Sequence, residues 1–395
     1  MITDLNFWLL LAISVPVFWI LPTRMRMGLL ALSSFSYLMT LEPLGTAVLL
    51  GWSLCFYFFA PLSRRSPSLK WTLPALIVGA FGYLAYFKYV PRLIDAFADE
   101  PALQEFVIPI GISYFTFKLI HYAVEVKRDN LPAHSIQEFL SYIFLVPIFT
   151  AGPIERFDHF QNNREPRWQA VLAVEGLTRI AHGLIKKLVL GNLVLLPLFG
   201  SVPDGAALLA QLGELPTYAV WRFCGLSFLY MYLDFSAYSD IAIGSSRLFG
   251  IRIMENFDWP ILAENISVFW KRWHMTLAGW CQSYVYLPTI GLTRNPYLAT
   301  YLTFGAIGLW HSGSVGWLAW GMYHATGISV YGSWTRYRRR RKWKGLDRPF
   351  GKCVGIALTL AFVSAGSALT AVDGVGSAYD IIRVFAKLLF IDLPD

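Results

Sequence analysis

Apolar residues in this chain come in runs of about 15–20, broken by proline, glycine and charge, and one helix needs about 20 such residues to cross a bilayer core. The runs fall at roughly 6–21, 28–41, 44–62, 72–90, 107–126, 136–152, 172–199, 215–249, 297–311, 314–333 and 353–372. Only 15% of the residues are charged and 56% are hydrophobic, against about 25% charged in an average soluble domain. Mean hydropathy is +0.49. No long polar region could clothe a water-facing core of this size. The pattern therefore predicts an all-α, polytopic membrane protein with about 11 transmembrane helices. Fifteen tryptophans, within an aromatic content of 16%, suit a chain with much surface at the membrane interface.

Basic residues mark the ends of alternate runs. Arg24 and Arg26 follow the first, Arg64, Arg65 and Lys70 the third, Lys127 and Arg128 the fifth. The 41–44 link has no basic residue, and the 91–105 link is mainly acidic, with Asp95, Asp99, Glu100 and Glu105. The positive-inside rule then puts the N-terminus outside and the basic block Arg336–Lys344 in the cytoplasm, where it can also touch anionic headgroups. This placement explains the net charge of +8 without a nucleic-acid partner. The first run, Asn6 to Leu21, lacks a basic leader and a small-x-small exit, and reads as a retained helix. Cys55, Cys224, Cys281 and Cys353 lie far apart with no C-x-x-C pair. They read as small buried hydrophobes rather than a zinc or disulfide framework. No linker or fixed-period repeat divides the chain. One domain is expected over 1–395: N-terminal helices (1–106), a catalytic core (107–333), a cytoplasmic basic loop (334–352) and C-terminal helices (353–395).

Two stretches do not fit lipid. Segment 152–169 is polar and mixed in charge. Segment 255–294 carries Glu255, Asp258, Glu264, Lys271, Arg272, His274 and Arg294 among many aromatics. Polar backbone survives at membrane depth only where protein or a wet cavity surrounds it. Segment 255–294 is therefore expected to form re-entrant or interfacial helices plugging the centre of a helical ring.

Two Trp–His pairs, Trp273–His274 and Trp310–His311, stand out. His311 ends an apolar run, where an imidazole costs free energy unless it is hydrogen-bonded or reaches water. A neutral imidazole can accept the proton of an attacking hydroxyl and release it near neutral pH. No G-x-S-x-G elbow supplies a nucleophile, so direct attack with His311 as base fits better than a covalent acyl-enzyme. His274, beside Lys271 and Arg272, could steady an oxyanion or orient an acyl donor; a buried, hydrogen-bonded core role is the alternative. Lys271 and Arg272 could contact donor phosphates, or serve only topology. His324, thirteen positions after His311, is a candidate hydrogen-bond partner that fixes a tautomer. His121, His134, His159 and His182 read as structural. In DFSAYSDIAIGSSRLFG (234–250), Tyr238, Ser239 and Asp240 are candidate donor- or acceptor-binding residues. Buried Asp234 and Asp240 need partners, for which Lys271, Arg272 or Arg247 are available. The small residues Ala237, Ala242, Gly244, Ser245 and Ser246 permit close helix packing. No metal is expected, since no H-E-x-x-H or comparable spacing occurs.

Several stretches together resemble the membrane-bound O-acyltransferases, in particular the bacterial branch that modifies cell-surface polymers: IPIGISYFTFKLIHYAVEV (108–126), AGPIERFDHF (151–160), YLDFSAYSDIAIG (232–244), FWKRWHMTLAGW (269–280) and GLWHSGSVGWLAWGMYHA (308–325). The resemblance implies a ring of membrane helices around a thinned centre, where a cytoplasmic acyl donor meets an extracytoplasmic hydroxyl. It carries the family's near-universal L-W-H histidine to His311 and its W-x-R-W-H histidine to His274. Trp273 and Trp310 come with those elements as binding residues. YLDFSAYSDIAIG is similar to alginate O-acetyltransferase membrane subunits; GPIERFDHF and the short length lean toward teichoic acid D-alanyl transferases. WCQSYVYLP (280–288) stands where the family carries W-x-R-D-Y/F, so Cys281–Gln282–Ser283 replaces an arginine–aspartate pair. The implied activity is transfer of a short acyl group, acetyl by preference, from acetyl-CoA or an acylated carrier protein to a glycan hydroxyl or an extracytoplasmic relay protein. The implied location is the bacterial inner membrane, with membrane lipids as partners and no bound cofactor. A transporter or flippase is the rival class; the paired broken helices of an inverted repeat, which would favour it, are absent.

Overall fold

The computed structural model describes residues 4–65, 67–97, 108–342 and 349–394. The acidic residues Asp99, Glu100 and Glu105 lie outside them. The described residues are helical, with one isolated bridge between Arg164 and Ile251 and no β-strand. Among the described residues, four helical stretches are long and apolar enough to cross a membrane: Pro43–Arg64, Thr72–Pro91, Ala170–Phe199 and Pro349–Ser367. Two compact units are formed, Met1–Leu184 with Ala237–Glu255, and Ile185–Ser236 with Asn256–Asp395.

The first unit contains α1 (Leu5–Ile20), α2 (Thr23–Leu41), α3 (Pro43–Phe59), α4 (Leu62–Arg65), α5 (Thr72–Phe97), α6 (Ile112–Arg128), α7 (Ile136–Phe144), α8 (Phe157–Asn162) and α9 (Ala170–Leu184). Its core includes Phe7, Phe56, Tyr122, Phe139 and Phe157, all buried. Pro43 opens α3 at a position where a missing N–H costs nothing. The helix expected over 136–152 stops at Phe144. Leu145 leaves helical geometry and Pro147 sits in a short 3-10 turn, Val146–Ile148. Proline cannot donate the next helical bond. The carbonyls left over at the end of α7 are taken by buried Lys118, whose Nζ donates to Tyr142 O at 2.9 Å and Ile143 O at 3.3 Å. Nine residues rise only about 13 Å, too little to cross a bilayer core.

The polar segment after α7 is tied down rather than loose. Buried Glu155 accepts from His159 Nδ1 at 2.6 Å and from the Met254 N–H at 2.7 Å. That bond, ahead of the opposing effect of burial, raises the His159 pKa above its ordinary value. Asp158 Oδ1 lies 3.3 Å from Nε2 of buried His121.

The next long helix, α11 (Thr217–Leu248), contributes to the first unit from Ala237 onward. A Cβ on its Gly244 would lie 2.5 Å from Gly176 O of α9. The small residues do permit backbone contact there, as their pattern predicts.

In the second unit the 170–199 stretch continues as a π-helical segment, Ile185–Leu195, and a 3-10 turn, Leu196–Phe199. A short helix α10 (Gly205–Gln211) precedes α11. Segment 255–294 is broken into α12 (Ile266–Arg272), α13 (Met275–Cys281), a π turn (Gln282–Tyr286) and α14 (Leu287–Thr293). The last three run on without a break over 275–293, and no part of 255–294 is among the stretches long and apolar enough to cross a membrane. Helices α15 (Pro296–His311), α16 (Val315–Arg340), α17 (Pro349–Ser367) and α18 (Ala378–Leu388) complete the unit. Helix α16 runs on through Arg336–Arg340, so the basic stretch expected to be a loop starts as helix. Cations in a helix's last turn are favourable, which lets it extend. Cys224 and Cys281 are buried as expected, but Cys55 and Cys353 are exposed, on the apolar helices α3 and α17.

Candidate active site

The site lies in the second unit, at the break between α12 and α13. Trp273 ends α12 in extended geometry, and His274 follows with φ 44° and ψ 51°. A left-handed non-glycine residue costs on the order of 1–3 kcal/mol and persists only where its surroundings impose it. Here the segment Asn256–Asp258 imposes it. The Asp258 N–H donates to Arg272 O at 3.0 Å, and the Met275 N–H donates to Asn256 O at 2.9 Å. Both sides of the break are thereby pinned to one strand of chain.

Asn256 is fully buried. Its side-chain Oδ1 accepts from His274 Nδ1 at 3.0 Å and from Thr276 Oγ1 at 2.8 Å. An amide oxygen only accepts, so Nδ1 carries the imidazole proton and Nε2 carries the lone pair. His274 is 2% exposed, and its Nε2 has no hydrogen-bond partner among the described residues.

His311 is the last residue of α15. Its ring lies flat on Trp317, with centroids 4.4 Å apart and planes at 18°, and it meets Trp310 and Trp320 edge-on at 4.7 and 5.7 Å. The stacking depends on how closely α15 and α16 approach. A Cβ on Gly308 would lie 2.3 Å from Trp317 O, and one on Gly321 would lie 2.3 Å from Phe304 O. Ser314 caps α16 by accepting the Trp317 N–H. One helix turn further along, buried His324 packs on Trp320 at 4.6 Å and accepts from Trp270 Nε1 at 3.3 Å.

These rings line a cavity of about 60 Å³ walled by His274, His311, His324, Trp273, Trp317 and Trp320, with Phe228, Phe235 and Val363 among its apolar lining. No carboxylate or lysine lines it. His274, His311, His324 and Trp273 are thus brought together from three separate stretches. Trp310 stands beside both key histidines, 6.1 Å from His274 and 4.7 Å from His311 between ring centroids.

The other expected residues lie elsewhere. Lys271 is exposed on the last turn of α12, and Arg272 faces Asp258 at 3.8 Å; neither lines the cavity. Tyr238, Ser239 and Asp240 belong to the first unit. Tyr238 is hydrogen-bonded to Thr150 Oγ1 at 2.8 Å, Ser239 is buried, and Asp240 accepts from Arg179 Nε at 2.6 Å. The partners of the two aspartates are therefore not the expected ones: Arg179 serves Asp240 and Lys187 serves Asp234, while Arg247 pairs with Glu175. These partners lie on the helical stretch 170–199, which runs beside α11 and reaches the carboxylates first. Among the described residues no group of three or more His, Cys, Asp or Glu stands close enough to hold a metal ion.

Asn256, Thr276, Trp317 and Trp320 are site residues that sequence reasoning missed. Trp317, Trp320 and His324 are spaced three and four apart, which puts them on one helical face. That signal was legible. Asn256 had none, because its importance depends on closure of the 256–275 loop.

Helical structure throughout the described elements, apolar helices of membrane length and two histidines on one cavity describe a membrane protein with a candidate site in its second unit. Residues 55–366 match the model of the membrane-bound O-acyltransferase family, and the chain belongs to that family. It is 33% identical over 68% of its length to the "Probable alginate O-acetylase AlgI" of Pseudomonas syringae, covering 52% of that protein. It is 31% identical over 78% of its length to the teichoic acid D-alanyltransferase of Streptococcus thermophilus, covering 77%. It is 28% identical over 73% of its length to the peptidoglycan O-acetyltransferase of Helicobacter pylori, covering 61%. The chain spans about half the length of the alginate relatives it matches.

Proposed function

We propose that this chain is an O-acyltransferase of the bacterial inner membrane. It moves an acetyl group from a cytoplasmic thioester, acetyl-CoA or an acylated carrier protein, to a hydroxyl of an extracytoplasmic polysaccharide or of a relay protein. The observation that carries the reading is the pairing of His274 and His311 on one small apolar cavity. The acceptor oxygen attacks the thioester carbonyl carbon while His311 takes the hydroxyl proton. The C–S bond then breaks, and the departing thiolate takes the proton back. His274 orients the reactants or steadies charge. Trp273, Trp310 and His324 shape the site, and Lys271, Arg272, Tyr238, Ser239 and Asp240 contact donor or acceptor outside it. A ring of about eleven helices around a thinned centre is the architecture that would let the two substrates arrive from opposite faces.

Acetyl suits a cavity with no carboxylate, because an ammonium group buried there would lack a counter-ion. D-alanyl transfer is a second reading, favoured by the tryptophan walls, which can hold a cation, and by the longer match to the Streptococcus relative. The test uses proteoliposomes loaded with acetyl- and D-alanyl-thioesters carrying distinct labels. Acetyl transfer that His311→Ala abolishes, with the variant still monodisperse, is the expected result. Full turnover by that variant removes His311 as base. Substrate movement without thioester consumption would make the chain a transporter.

A further inference from the structure

The tautomer of His274 is fixed by its neighbours, and that decides which of two opposite jobs the ring can do. If Nε2 carried the proton, it would donate a hydrogen bond and suit an oxyanion. If Nε2 carries the lone pair, it accepts a hydrogen bond and suits a hydroxyl. Asn256 makes the choice. Its Oδ1 can only accept, it is buried beyond the reach of solvent, and it receives both the His274 Nδ1 proton and the Thr276 hydroxyl proton. Its main-chain oxygen takes the Met275 N–H as well, so Asn256 grips the chain on the far side of His274 too. The left-handed backbone at residue 274 keeps the ring from following α12 or α13 into an ordinary helical position.

We infer that Asn256 is a positioning residue that holds His274 in the Nδ1–H tautomer, so that Nε2 presents a lone pair to the cavity and receives the hydrogen bond of the acceptor hydroxyl. The tautomer stands on the geometry alone; the hydroxyl rests on the acyl-transfer reading above. Buried acceptors are nearly always satisfied. Nε2 meets no donor among the described residues, and a substrate O–H is the chemistry that supplies one. His274 then belongs to the acceptor side of the reaction, where it aims the hydroxyl while His311 removes the proton. Oxyanion stabilisation must come from other donors.

The experiment uses the full chain with ¹⁵N-labelled histidine in lipid nanodiscs, with His274→Gln to assign the resonances. The wild type is expected to show a protonated Nδ1 and an unprotonated Nε2 at residue 274. Asn256→Ala is expected to give a mixed tautomer and to lower kcat about 100-fold, the scale of a reactant misplaced by about 1 Å, with the donor KM little changed. Asn256→Asp, which still accepts from Nδ1, is expected to restore the ring state and much of kcat. A wild-type ring protonated at Nε2 would overturn the inference, as would Asn256→Ala with unaltered tautomer or kcat. The wild-type spectrum decides even if Asn256→Ala does not fold. A wild type with the expected ring but no acyl transfer would remove the functional reading and leave the tautomer assignment intact.

Discussion

Histidines in the two units are held in opposite ways. In the first unit, His121, His134 and His159 are hydrogen-bonded inside the fold. His134 bonds Tyr122 Oη through Nε2 at 2.9 Å and Pro132 O through Nδ1 at 2.8 Å. His121 accepts the Phe157 N–H at 3.0 Å, and His159 donates to buried Glu155. In the second unit, rings meet mostly other rings. His311 lies on Trp317, and His274, which lines a cavity, is bonded at one nitrogen while the other has no hydrogen-bond partner among the described residues. A histidine in apolar surroundings is thus identified by its neighbours. Where every lone pair and proton is used locally, it is a structural cross-link. Where one nitrogen is kept for something that arrives later, it is available for chemistry.

That contrast can be broken by substitution. Among the substitutions that set the two units against each other, the largest effect is expected at His274: replacement by Ala removes the group that aims the acceptor hydroxyl and should cut acyl transfer by about 1000-fold. His134→Gln should instead leave turnover per folded molecule nearly unchanged. If both variants lost the same activity in labelled-thioester assays, the distinction between the units would fail. Next comes Gly308→Leu. Its side chain would collide with Trp317 O, force α15 and α16 apart and unstack His311. We expect a fall in kcat of roughly 100-fold with the protein still folded; wild-type rates would show that the close approach is irrelevant to the site.

Smaller effects are expected in the first unit. Glu155→Gln weakens bonds to His159 and the Met254 N–H, and should cost about 2–3 kcal/mol of stability. The readout is a lower Tm with unaltered turnover per folded molecule. A kinetic defect without a stability loss would mean that Glu155 takes part in the reaction. The smallest effect is a pH dependence. The His159 pKa is raised in the fold, chiefly by its bond to Glu155, so the protonated ring stabilises the native state. That contribution is complete below the unfolded value of about 6.5 and is lost as pH rises through the raised value. Tm should drop by about 2 °C between roughly pH 6 and pH 8, and Glu155→Gln should flatten the slope.

Helices were legible wherever an unbroken apolar run set them. The runs at 6–21 and 297–311 became Leu5–Ile20 and Pro296–His311. The run at 136–152 misled because its C-terminal half stays apolar after the helix has ended. Pro147 and the carbonyls bound by Lys118 stop α7, and hydropathy registers neither. At the site, His274 and His311 could be read as unusual because imidazole is costly beside apolar residues. Asn256 could not, since a lone asparagine in a link reads as an ordinary turn residue until its partners arrive from eighteen and twenty positions away.

By itself, the sequence determined what depends on composition and short spacing: helical structure, apolar helices long enough to cross a membrane, the family, and which histidines stand in costly surroundings. These follow from transfer free energies that each segment carries wherever it sits. Tertiary structure decided which carboxylate meets which cation, where helices break, and which nitrogen of His274 holds the proton. Those outcomes depend on ångström-scale distances between residues far apart in the chain, and only the closed fold sets such distances.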